Sequence, residues 1–160
     1  MGSINSLPDD LMHFFQKQGF FIVSTLDEKG RPHSSCKGIV KIEKNGEIYL
    51  LDLYKGNTYK NLKRNANISI TAVDEHKFRG YCLKGKARIV KEGKIKSHII
   101  KAWEEKITTR VTSRILRNVR EEQKGHPRHP EILLPKPQYL IIVKTEDIVN
   151  LTPQVLNRTE

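Results

Sequence analysis

The sequence predicts a mainly β domain of the α+β class, in which six antiparallel strands close or nearly close into a small barrel. Three observations lead to this fold. Short β-branched and aromatic segments follow one another through tight turns, and Asn45-Gly46 is a strong hairpin signal. Gly85 interrupts a later strand, as glycines do where a sheet bends. The 160 residues suit one domain and contain few helical segments.

The chain begins with a predicted helix that ends before the first strand. Ser6 can cap this helix, and Asp9 and Asp10 favour the positive end of its dipole. Gly19 is suited to end it. Residues 148–151 have the composition of a short closing strand. The six main strands are expected at residues 20–26, 33–43, 47–53, 67–73, 80–90 and 138–144.

Helices are expected between and after these strands. A short polar helix can be capped by Asn57 or Thr58, and apolar residues at helical spacing predict helices over 94–107 and 109–124. Residues 125–137 hold four of the seven prolines and predict a loop. We therefore expect a single domain over 1–160. Its helical and loop insertion spans 91–136, and its closing strands lie in 137–151.

The charge balance is strongly basic. The chain has 29 Lys and Arg residues against 18 Asp and Glu, a net charge of +11. Such a charge attracts a polyanion, which can be a nucleic acid, an anionic membrane surface or a phosphorylated small molecule. It equally suits a surface that only keeps a protein in solution. Composition alone leaves these alternatives open.

The sequence also excludes several classes of protein. No apolar run approaches the ~20 residues of a membrane-spanning helix, and the first ten residues lack the pattern of a secretory signal. Cys36 and Cys82 are too few for a disulfide framework, so we expect free thiols in a reducing cytoplasm. His126 and His129 lie between prolines without acidic or thiol partners, and no metal site is predicted.

The segment from Gly56 to Asn65 carries the main functional signal. It follows a strand and opens a helix, with a hydroxyl at Thr58 and an ammonium at Lys60. Free N–H groups at a helix N-terminus, together with these side chains, can hold a phosphate. The alternative is a surface helix whose cations are only solvated, and the residues themselves leave both open. Common dinucleotide, phosphate-loop and hydrolase motifs are absent, so an enzyme here would need a cofactor for its reactive group.

The segment 21–35 resembles the opening hairpin of the pyridoxamine 5'-phosphate oxidase-like, FMN-binding split-barrel family. Segments 46–52, 58–62, 65–70 and 83–88 match later elements of that family in the same order and at similar spacing. The resemblance covers residues 19–90. It implies a split β-barrel homodimer with FMN bound at the subunit interface. The cofactor-binding residues that it implies are Ser35, Cys36, Lys37 and Gly38 along the flavin ring, Leu51 and Asp52 near the ribityl or phosphate tail, and Thr58, Tyr59 and Lys60 at the phosphate.

The chain departs from the oxidase proper at informative positions. Ser35 and Val40 stand where the oxidase carries basic residues, and 138–160 has no counterpart of its C-terminal arginine and histidine signature. The resemblance therefore implies a broader flavin-binding member of the family. His33 can be a proton donor or an exposed strand end, and Trp103 can stack on a cofactor or pack in the core.

We accordingly expect an FMN-dependent oxidoreductase or reductase that acts on a small redox substrate. A flavin carrier without turnover, or a deazaflavin coenzyme or heme in the same fold, is an alternative within this family. Tyr54 and Tyr59 beside Lys55 and Lys60 suggest a further alternative, a basic barrel that binds nucleic acid. Nucleic acid and membrane are not the expected partners.

Overall fold

The computed structural model describes residues 4–120 and 137–154. They form seven strands, three α-helices and a 3-10 turn, Glu92–Lys94. The helices are α1 (Asp9–Lys17), α2 (Asn57–Arg64) and α3 (Ser97–Arg120). The strands are β1 (Phe21–Leu26), β2 (Pro32–Lys37), β3 (Lys41–Ile42), β4 (Glu47–Asp52), β5 (Asn67–Asp74), β6 (Arg79–Lys91) and β7 (Tyr139–Asn150). The predicted mainly β, α+β class is confirmed.

The strands form one antiparallel sheet in the order β2-β1-β5-β6-β7-β4-β3. Its two edges, β2 and β3, do not pair with each other in the described part of the chain. Residues 38–40 nevertheless connect them directly, so the sheet must curl until its edges face one another. The fold is therefore a barrel with an open seam between β2 and the β3–β4 hairpin.

The strand count corrects the prediction of six. The expected strand 33–43 divides into β2 and β3, because the chain leaves one edge of the sheet at Lys37 and joins the other at Lys41. The segments 138–144 and 148–151 form the single strand β7. It pairs with β6 over its whole length, from Tyr139 to Asn150. The predicted bend at Gly85 is confirmed, since the β6–β7 register shifts between Lys84 and Gly85.

Two helix predictions are also corrected. The predicted helices 94–107 and 109–124 form one helix, α3, as far as it is described. Thr108 and Thr109 lie within it, and each hydroxyl donates to the carbonyl oxygen four residues earlier, at 2.9 Å. Helix α1 begins after Pro8 rather than at a Ser6 cap. Residues 121–136, with His126 and His129, lie outside the described residues, so the domain boundaries stay a prediction.

Two apolar clusters hold the fold together. Alternate residues of the strands fill the barrel, and Phe15 of α1 closes one end by stacking on Phe21 at 5.6 Å. The second cluster lies outside the barrel, where Ile99 of α3 packs with Leu51 and Leu140. This second cluster fixes α3 beside the open seam. No helix in the described ranges is both long and apolar enough to cross a bilayer.

Candidate functional site

A cleft of about 440 Å³ lies at the open seam, between the end of β2, the end of β4 and one face of α3. This volume is within the range of about 300–1,000 Å³ that is typical of small-molecule sites. The cleft brings together five of the nine residues that the sequence pointed to. They are Cys36, Lys37, Gly38, Leu51 and Asp52.

An ion pair spans the seam inside this cleft. Lys37 Nζ of β2 lies 2.5 Å from Asp52 Oδ2 of β4, and the two side chains are only 11% and 13% exposed. The same carboxylate oxygen accepts a hydrogen bond from the hydroxyl of Tyr139, which faces Asp52 across the β4–β7 pairing. Burial, together with the hydrogen bond to Asp52, raises the pKa of Tyr139 well above its usual range. Tyr139 therefore stays protonated and acts as a donor.

Helix α3 supplies a cationic wall of the cleft that the sequence did not identify. Trp103, Lys106 and Arg110 line the cleft at helical spacing. Lys106 Nζ donates to the carbonyl oxygen of Ile39 at 2.8 Å. The residue as a whole is exposed, but partial desolvation of its ammonium, and secondarily the nearby Arg110, lowers the pKa of Lys106. The spacing of Trp103, Lys106 and Arg110 was the signal available in the sequence. Trp103 both lines the cleft and packs against the second apolar cluster.

Two of the predicted residues of α2, Thr58 and Tyr59, do not line the cleft but contact residues beside it. Thr58 is buried, and its hydroxyl lies 3.0 Å from that of Ser35 on β2. Tyr59 packs edge-on against Tyr139, with ring centroids 4.9 Å apart. Neither Asn57 nor Thr58 caps the helix, because Gly56 is the N-cap residue and no side chain bonds to the cap. Thr58 and Tyr59 therefore connect α2 to the residues of the seam.

Lys60 lies in a second depression, of about 380 Å³, between α2 and the β1–β2 turn. Its lining is mixed in charge: four cations, Lys29, Arg31, Lys60 and Arg64, outnumber the two carboxylates of Asp27 and Glu28, and His33 and Asn57 add polar groups. The buried Asn61 amide fixes this side of the helix, because it donates to Thr25 Oγ1 at 3.0 Å and accepts from Arg64 at 2.8 Å. The structure thus places Lys60 apart from the cleft.

Strand β2 connects the two depressions. His33, Ser35 and Lys37 share one face of the strand, since side chains alternate. His33 lines the depression, Ser35 contacts α2, and Lys37 reaches the cleft. Four residues of strand span about 13 Å. Among the described strands β2 pairs only with β1, so main-chain N–H and C=O groups along its outer side have no strand partner there. The depression, the side chains of His33, Ser35 and Lys37, and the cleft thus form a track along β2. This track can receive an elongated ligand with polar groups.

Thiol chemistry and metal binding have less support in the described residues. Both cysteines are free, Cys36 exposed and Cys82 half-buried. Across the ranges that the structure describes, His, Cys, Asp and Glu side chains form no group of three that could hold a metal ion. The track along β2 is therefore the site with the most developed geometry.

Comparisons with known proteins agree with this architecture. The family model for pyridoxamine 5'-phosphate oxidase matches residues 7–133. HupZ from group A Streptococcus has a similar structure, with a TM-score of 0.61 and 20% identity over 91% of this chain and 94% of HupZ. A Clostridium acetobutylicum protein related to general stress protein 26, of the pyridoxinephosphate oxidase family, gives 0.56 and 17% over 92% and 94%.

An F420 reductase has a TM-score of 0.55 and 13% identity, over 89% of this chain and 98% of the reductase. No curated protein matches the sequence. At these identities the three structures show a common fold.

Proposed function

The chain belongs to the pyridoxamine 5'-phosphate oxidase family, and on that basis we propose that it is an FMN-binding flavoprotein and a flavin-dependent oxidoreductase of a small substrate. The observation that carries the proposal is the track along β2, with a cleft at Lys37 and a cationic depression at Lys60. FMN is elongated, with a planar ring at one end and a phosphate at the other. The two depressions suit these two ends.

The phosphate end is assigned to the depression beside α2. Lys60 and Arg64 provide positive charge there, and with Lys29 and Arg31 they outnumber the carboxylates of Asp27 and Glu28 in the same lining. The first turn of α2 contains no acidic residue to compete for its N–H groups. The Ser35 and Thr58 hydroxyls lie between the depression and the cleft, where they can hydrogen-bond the ribityl chain. The donor set therefore fits a phosphorylated, polyhydroxylated ligand.

The ring end is assigned to the cleft. Cys36 and Gly38 line the cleft at the end of the edge strand β2, and Lys37 offers N–H donors beyond its bond to Asp52. Leu51 and Ile107 give the cleft an apolar part that excludes water. Bound FMN would supply the electron or hydride transfer, and these residues would position it and tune its electronics.

Assembly and location are part of the same proposal. The cleft opens at the seam, so a second copy of the chain can cover the exposed side of the ring in a homodimer. Sedimentation of the flavin-loaded protein should show a dimer, and a monomer that binds FMN tightly would contradict the shared site. The free cysteines are compatible with the cytoplasm, which we retain as the proposed location.

Paired flavin titrations test the proposal. Purified protein should bind FMN much more tightly than riboflavin, which lacks the phosphate. Lys60→Ala should weaken FMN binding by about tenfold to hundredfold, because a charge-assisted hydrogen bond contributes about 1.5–3 kcal/mol. Its riboflavin affinity should hardly change. Lys77→Ala is the matched control, since Lys77 is exposed and lies on the β5–β6 turn.

Several results would contradict the proposal. A wild-type protein that binds neither flavin would refute it, and equal losses of FMN and riboflavin in Lys60→Ala would refute the phosphate assignment. Parallel titrations with the deazaflavin coenzyme F420 and with heme test the other cofactors of this fold. Tight, salt-sensitive binding of single-stranded nucleic acid beside unchanged FMN affinity in Lys60→Ala would favour the basic-barrel alternative.

A further inference from the structure

The outer surface of five neighbouring strands, β2, β1, β5, β6 and β7, differs in composition from the rest of the chain. Side chains alternate between the barrel interior and this surface, and the register aligns the outward ones into three rows across the strands. The first row is Val73, Gly80 and Leu151, with Phe20 in line just before β1; the second is Cys36, Ile22, Thr71, Cys82 and Val149; the third is Ser34, Ser24, Ser69, Lys84 and Asp147. The three rows together are named the outer sheet face.

The first two rows present hydrophobic side chains to the outside. Phe20 is 64% exposed, Val73 57% and Leu151 45%. The side chains of Val73 and Leu151 meet over Gly80, since a Cβ there would lie 3.0 Å from Val73 Cγ1 and 3.4 Å from Leu151 Cβ. With Ile22, these rows hold four of the seven large hydrophobic side chains that are exposed in the described ranges. Contiguous exposed apolar patches mark interaction sites.

The outer sheet face carries little charge, although the chain is rich in charged residues. These make up 29% of the sequence, and the net charge is +11. The first two rows contain no charged residue. The third contains only Lys84 and Asp147, which lie opposite each other in the β6–β7 pairing and have opposite charges. Two copies of so basic a chain repel each other, but on the outer sheet face they can meet without that repulsion.

We propose that two copies of the chain meet through the outer sheet face, with the same rows of each copy in contact. Such an isologous interface has an uncharged centre and a charged rim, which Glu75 and Lys77 provide on the turn beyond the first row. The second row ends at Cys36, which also lines the cleft, so a copy seated here stands beside the open side of the cleft. The inference rests on the proposed function only for the homodimer, and it needs no flavin.

Thr71 tests this interface, because it lies on the central strand of the middle row and its neighbours Ile70 and Ala72 point inward. In sedimentation equilibrium of the flavin-free protein, wild type should be a dimer. Thr71→Lys and Thr71→Glu each bring two like charges into the contact, one from each copy, and should weaken dimer formation at least about hundredfold. Thr108→Lys and Thr108→Glu are the matched controls, since Thr108 is exposed on α3, away from the face, and should leave the dimer intact.

The two cysteines give a second measurement on the same proteins. Both lie in the middle row, and in the single chain Cys36 is exposed and Cys82 half-buried. In the dimer we expect both thiols to be covered. They should therefore react with N-ethylmaleimide at least about tenfold more slowly in wild type than in Thr71→Glu. The glutamate itself disfavours the reactive thiolate, so faster reaction in this variant reports that the thiols have been uncovered.

Each outcome supports or overturns the inference, separately from flavin binding. A dimer that both Thr71 variants leave intact would overturn it, because the copies would then meet elsewhere. A monomeric wild type would also overturn it, and slow thiols in that monomer would mean that another segment of the chain covers the face. If both Thr71 variants are unfolded by circular dichroism, Phe20→Lys decides in the same way, because Phe20 lies outside β1. A dimer that dissociates as expected but binds no FMN would support the inference and refute the proposed function.

Discussion

Of the glycines that the structure describes, Gly85 should tolerate a methyl group least. It lies at the β-bulge where the β6–β7 register shifts. A Cβ at this position would lie 1.9 Å from the carbonyl oxygen of Lys144 and 3.1 Å from Cα of Thr145. Both contacts are with the backbone of the neighbouring strand, so no side-chain rotation can relieve them. Gly85→Ala must therefore separate β6 from β7 by more than 1 Å or abolish the bulge.

The expected cost is at the upper end of what overpacking produces, about 3 kcal/mol. For a domain of this size, that loss lowers the melting temperature by roughly 6–12 °C. Thermal and urea unfolding, followed by circular dichroism, measure it. Gly93→Ala is the control, because nothing lies within 4 Å of its Cβ position. If Gly85→Ala melted within a degree or two of wild type, the inferred close approach of the strands would be wrong.

Three further predictions concern the residues around the site. Asn61→Ala removes the buried donor to Thr25 and should cost about 1–3 kcal/mol in urea unfolding, and a change below 0.5 kcal/mol would argue against that hydrogen bond. Tyr139 has a raised pKa when folded, so the stability it contributes is present below about pH 10 and falls as unfolded tyrosine ionises above it. The difference in unfolding free energy between wild type and Tyr139→Phe should then shrink with rising pH, and a constant difference would contradict this. Gly38→Ala should change stability by less than about 1 kcal/mol, because its Cβ would meet only the flexible end of Arg110; a larger loss on melting would show that Arg110 cannot move.

The local patterns of the sequence predicted most strands and turns. Gly46 adopts a φ of +87°, as the Asn45-Gly46 hairpin signal requires, and Gly85 forms the predicted bulge. These features depend on the backbone sterics of a few neighbouring residues, which the sequence displays directly. The division of 33–43 into two strands was missed, because it depends on where the curled sheet brings its two edges together.

The candidate site, too, was predicted only in part from the sequence. The resemblance to the family implied all nine proposed residues, and the residues themselves pointed to Thr58 and Lys60; the structure brings five of the nine into one cleft. That assignment to a cofactor stays a prediction. The sequence also suggested that Thr58 and Lys60 act side by side, but Thr58 faces Ser35 while Lys60 faces the separate depression. Residues two apart on a helix point in different directions, and only the packing of α2 decides which environment each one meets.

The sequence by itself determined the class of fold, the order of its strands along the chain and the basic character of the molecule. Only the tertiary structure decided which residues surround the cleft. Asp52 meets Tyr139 across 87 positions of the chain, and Lys106 reaches Ile39 across 67. Such pairs depend on the order of strands in the sheet and on the apolar cluster that seats α3 against β4 and β7. Periodicity reports which face of an element is buried, but it does not report which distant element covers that face.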